Sequence, residues 1–163
     1  MFGISPIGWV HTLGSLPALG TAAYMLVRHG RIVPRSIPGA IYLASMVLGG
    51  ATAFLVAKQP VSYVIGGVTL IVIAVGYGVH RVTFLGRMRR YIETISLSFS
   101  VLLLLVPTVT ETLTRVPDGA PLASSVSSPI VLGAHTALLL AFVVGLIVQS
   151  VVLRREGRAR GAT

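Results

Sequence analysis

Three residues stand out as able to do chemistry inside apolar surroundings: His11, His135 and Glu111. A titratable group within such a run is costly, which makes it a candidate functional residue. His11 and His135 each lie about one helical turn inside the end of an apolar run. The two runs point the same way, so the rings are expected at similar depth, with Glu111 nearby on a third run. Two opposed imidazoles can supply the axial ligands of haem b. One imidazole with a carboxylate proton partner suits a quinone. Two imidazoles and a carboxylate can also hold a metal. His11, His135 and Glu111 are therefore read as a cofactor-binding pocket, with haem b or a quinone as the ligand. The competing reading is that each histidine bonds a neighbouring backbone or hydroxyl group and stabilises packing.

A second group gathers where His80 stands beside Arg81, and Glu93 follows Arg90 by three residues. Here Glu93 is expected to face a helix N-terminus and neutralise a loop arginine. His29 falls in a basic loop and is expected to face water or headgroups. No cysteine is present, so thiolate metal sites, disulfides and thiol catalysis are excluded. No nucleophile elbow, zinc-protease signature or P-loop occurs. No catalytic residue is assigned, and the chain reads more readily as a binding protein than as an enzyme.

The elements that must position these residues are five apolar runs, at about 7–27, 39–57, 62–80, 91–112 and 129–153. Each approaches the roughly 20 residues that a helix needs to cross a bilayer. They are too long and too little alternating for barrel strands. The expected fold is all-α: a polytopic bundle of five transmembrane helices over 1–153, with a basic tail at 154–163. The end of that tail, from Arg158 on, is expected to be disordered. Lys58-Gln59-Pro60 makes a tight turn. Residues 113–128 form the longest loop. Small and polar residues recur on one face of each run: His11, Ser15, Ala18 and Ala22 on the first, and Ser45, Gly49 and Ala53 on the second. The third carries Thr69, Gly76 and His80, and the fourth Glu93, Ser96, Ser100, Pro107 and Glu111. On the fifth the stripe is His135, Leu138, Phe142, Gly145 and Gln149. Pro107 is expected to kink the fourth helix.

Composition agrees with this. Hydrophobic residues make up 54% of the chain and charged residues 10%, against about 25% charged in soluble domains. No cleavable signal peptide is evident in MFGISPIGWV. The net charge of +9 would suggest nucleic acid in a soluble protein, but here the arginines fall in short blocks between apolar runs. Arg28, Arg31, Arg35, Arg81, Arg87, Arg89, Arg90, Arg154, Arg155, Arg158 and Arg160 share one side. Only Lys58 and Arg115 lie on the other. This asymmetry predicts an outside N-terminus and a cytoplasmic C-terminus in the cytoplasmic membrane. Arg87, Arg89 and Arg90 are expected to attract anionic headgroups such as phosphatidylglycerol or cardiolipin.

The first half carries a run of motifs: His11-Thr12-Leu13-Gly14, Ala18-Leu19-Gly20, Gly30-Arg31, Pro34-Arg35, then Gly39, Tyr42 and Met46. Over roughly 8–80 it resembles a family of bacterial integral membrane proteins of unknown function. In that family an Arg-x-x-Gly-x-x-Tyr pattern opens the second helix. Here Arg35-Ser36-Ile37-Pro38-Gly39 is one residue longer, and Pro34 stands where a histidine is usual. The resemblance implies a multi-helix membrane fold and no particular activity. Besides cofactor binding, two other roles fit the residues. One is a non-catalytic subunit or scaffold packed on a membrane partner or a second copy. The other is a small-solute or ion pathway along the serine and glutamate face of the fourth helix.

Overall fold

In the computed structural model, residues 5–57, 60–117 and 119–159 are described. Five helices follow one another: α1 (Pro6–His29), α2 (Ile37–Val56), α3 (Pro60–Gly78), α4 (Met88–Arg115) and α5 (Pro129–Ala159). All five are long and apolar enough to cross a membrane. No strand occurs among the described residues. The chain has the build of a multi-pass membrane protein.

The helix starts follow from local chemistry. Ser5 caps α1 by accepting the Gly8 N–H at 3.1 Å, and Pro6 opens the helix. Proline suits that position because the N–H it lacks would have no partner there. Ser36 caps α2 in the same way, accepting the Gly39 N–H at 3.1 Å. Helix α1 stops at Gly30, whose φ of 66° is the left-handed conformation that glycine adopts without strain.

Three sequence expectations shift at helix ends. The third span yields to 3-10 turns at Val79–Arg81 and Thr83–Leu85, so His80 sits in a 3-10 turn rather than closing the span. Gly76 and Gly78 leave the helix end conformationally loose enough to tighten. Helix α4 starts earlier and ends later than its apolar core. Helix α5 continues through Ala159, so Arg154, Arg155 and Arg158 ride on its last turns instead of a separate tail. Arginine forms helix well and suits the negative end of the macrodipole. Residues 160–163, like Lys58, Gln59 and Asp118, lie outside the described residues. Pro107 is held within a continuous α4.

Consecutive helices pack side by side, and α4 also reaches α1. The first four helices thereby close around one core containing Ala18, Ala22, Met25, Tyr42, Met46, Ile73, Leu97 and Val101. Small residues let the backbones approach, as expected of helices in lipid. At Gly66 an added Cβ would meet the Ala53 Cβ at 3.2 Å and the Gly50 oxygen at 3.3 Å. Helix α5 stands apart. It packs along α4, and only 6% of its apolar window is buried. The side that α5 turns to α4 is the stripe read from the sequence: Phe142 packs on Phe99 with ring centroids 5.9 Å apart, and His135 and Gln149 both bond α4.

Candidate functional site

The five helices place polar groups at two ends. At one end, α1 and α3 finish, α2 and α4 begin, and α5 finishes. This basic end holds the arginine blocks. The opposite end holds His11, His135 and Glu111.

At the opposite end the two histidines are tied to different helices. His11 on α1 places Nδ1 2.9 Å from the Thr52 hydroxyl on α2. That hydroxyl directs its proton at the Leu48 carbonyl, 2.6 Å away, so the His11 Nδ1–H donates to it. His135 on α5 reaches the Thr110 hydroxyl on α4 through Nε2 at 2.8 Å. Thr110 in turn donates to the Val106 carbonyl at 2.8 Å, so the Nε2 of His135 is a donor and already engaged. Glu111 pairs with Arg115 one turn further along α4, and lies within electrostatic reach of His11. His135 bonds the residue before Glu111, about 100° around the helix from it. Packing does not set α1 against α5 along their lengths, so the two rings do not face each other from neighbouring helices. Among the described residues, no group of three or more histidines and carboxylates is close enough to hold a metal.

The basic end is built differently. Glu93, in the second turn of α4, is only 6% exposed. Its Oε2 accepts from the Arg35 Nη2 at 2.9 Å. Arg35 comes from the loop before the Ser36 cap, 58 residues away in sequence. The expectation that Glu93 neutralises a loop arginine holds, but its partner is Arg35 and not its neighbour Arg90. That loop is held against the bundle at Gly39. The Gly39 carbonyl accepts the Tyr77 hydroxyl at 2.6 Å, and a Cβ at Gly39 would collide with the Val33 and Pro34 backbone. The 3-10 turn after α3 brings in His80. Its Nδ1 must donate to the Tyr77 carbonyl, 2.8 Å away, because a carbonyl only accepts. Arg35, His80, Arg89, Arg90 and Glu93 line a cavity of about 330 Å³. Arg35 and Arg89 face one carboxylate there, Glu93, which leaves a surplus of one positive charge, since the third guanidinium, Arg90, is paired with Glu156.

A second cavity, of about 220 Å³, opens between the start of α4 and the end of α5, with Arg87, Arg90, Arg154 and Arg158 on its walls. Arg87 donates to the Gly157 carbonyl at 2.6 Å, and Arg90 pairs with Glu156 at 2.6 Å. Of the three arginines expected to meet headgroups, Arg87 and Arg90 therefore also fasten α5 to α4, while Arg89 lines the first cavity. Gln149 adds a further tie. It accepts from Ser98 on α4 and donates to the Gly30 carbonyl at the end of α1, both at 2.8 Å.

Sequence reasoning had His80, Arg90 and Glu93 together but gave more weight to the opposite end. It missed Arg35 as the partner of Glu93, and Glu156 and the α5 arginines as part of the same basic surface. No local signal marks these, since each pairing joins segments more than 50 residues apart. No family model, curated protein or solved structure matches the chain, so its reading rests on these residues.

Proposed function

We propose that this is a multi-pass protein of the cytoplasmic membrane whose basic end faces the cytoplasm and binds a phosphate-bearing anion. The observation that carries this reading is the convergence of Arg35, Arg89, Arg90 and His80 on one cavity whose single carboxylate, Glu93, is already paired. Guanidinium groups match phosphate oxygens in charge and in planar geometry. The segregation of eleven arginines from Lys58 and Arg115 supports the orientation, because basic loops are retained on the cytoplasmic side. Titration of the purified protein in detergent with inorganic phosphate or pyrophosphate tests it. Saturable binding that is lost in Arg89→Gln and in Arg90→Gln is expected. Binding that is absent, or equal in wild type and both variants, rejects the site.

A second reading rests on His11 alone. With Nδ1 held by Thr52, Nε2 is the nitrogen that would accept a quinol hydroxyl or make one axial bond to haem b. Glu111 is in reach as a charge partner. The engaged Nε2 of His135 gives no support to a bis-histidine haem. Haem or quinol binding lost in His11→Ala and kept in His135→Ala is the expected result. No Soret band and no quinol binding in the wild type would end this reading.

A further inference from the structure

We infer that the ligand of the basic end is a diphosphate phospholipid of the cardiolipin type, seated across both cavities with Arg90 between its phosphates. This rests on the reading of the first cavity as an anion site and names the source of its anion. Arg90 lines both cavities, so the two are adjacent and share a wall. Each carries a charge surplus. Counting Arg90 with its partner Glu156 in the second, the first has Arg35 and Arg89 against Glu93. The second has Arg87, Arg90, Arg154 and Arg158, with Glu156 beside Arg90. One phosphodiester brings a single negative charge and cannot neutralise both. Two phosphodiesters joined by a short glycerol link can place one in each.

The surroundings favour a lipid over a soluble diphosphate. Tyr91 and Leu153 line the second cavity beside the guanidinium groups, an apolar floor that a fully hydrated anion would not need. Val151 and Val152 next to it are exposed, and α4 is the helix that α5 packs along. Acyl chains can lie on this exposed apolar face of α5 beside the cavity. Arginines at this level meet headgroups, because the apolar stretch of α5 ends there.

The test uses the full chain in phosphatidylcholine nanodiscs containing either phosphatidylglycerol or cardiolipin at matched phosphate. Bound lipid is counted by native mass spectrometry. The wild type is expected to retain cardiolipin about tenfold more tightly than phosphatidylglycerol. Arg154→Gln with Arg158→Gln, and separately Arg89→Gln, should each reduce that preference to near parity. Arg90→Gln should abolish it. Equal retention of the two lipids by the wild type overturns this inference. If inorganic phosphate still binds in that case, the anion site survives and only its lipid source is wrong. If cardiolipin is preferred but the preference is untouched by Arg89→Gln, the bridging geometry is overturned. Thermal unfolding of every variant in the same detergent identifies any that fail to fold. Arg89→Lys, which keeps the charge, then separates loss of fold from loss of phosphate contact, since it should restore most of the preference.

Discussion

Arg35 and Glu93 form the ion pair on which the first cavity depends, and their exposures differ sharply. The Arg35 side chain is 57% exposed and that of Glu93 8%. Removing either partner is therefore not symmetrical. Arg35→Ala leaves a carboxylate buried without its counter-charge, which costs about 3 kcal/mol when burial is nearly complete. Glu93→Gln leaves an arginine that water can reach, and should cost about 1 kcal/mol. Thermal unfolding in detergent should rank Arg35→Ala as clearly the less stable, and the reverse order would show that the pair is not anchored as described. Glu93→Gln should at the same time tighten phosphate binding several-fold, because it removes the cavity's one negative charge. Weaker binding in that variant would count against the anion site. Deeper in the core, the hydroxyls of Tyr42 and Ser100 are bonded at 2.8 Å. Ser100 also donates to the Leu97 carbonyl, so Tyr42→Phe leaves it with a partner. The expected loss is about 1 kcal/mol, read as a small drop in the midpoint of thermal unfolding.

Among the helices, the α2–α3 contact and the α5 surface offer a matched pair of glycines. Gly66 is closely flanked by Ala53 and Gly50, whereas Gly133 on α5 has nothing within 4 Å of an added Cβ. Gly66→Leu must force two backbones apart and should destabilise the protein by about 1–3 kcal/mol. Gly133→Leu adds apolar surface to an open face and should leave the unfolding midpoint within a degree or two. Similar losses in both would mean that α5 is more deeply packed than it is here. The stripe on α5 was legible because its members, with a polar residue at each end, recur every three or four residues. Its partner helix was not, since any helix with a complementary face would read the same.

For the whole molecule, the absence of cysteine permits a clean test of orientation. Single cysteines at Ser125 and at Arg155 can be labelled without background. Ser125 should react with an impermeant reagent added outside intact cells, and Arg155 only after the membrane is opened. Both residues reacting from one side would contradict an odd number of spans. The number of helices and their approximate limits were determined by the sequence alone. A span is a local property, set by the free energy of moving about 20 residues into a layer of fixed thickness. The arginine asymmetry and the candidate pairing faces were equally local. Tertiary structure decided the rest. It joined Glu93 to Arg35 and Arg90 to Glu156, tied His11 to Thr52 and His135 to Thr110, and left α5 outside the four-helix core. Lipid tails are as apolar as leucine, so burial does not tell one helix partner from another. The choice falls to close packing at small residues and to hydrogen bonds between helices, which depend on the three-dimensional fit of side chains far apart in the chain.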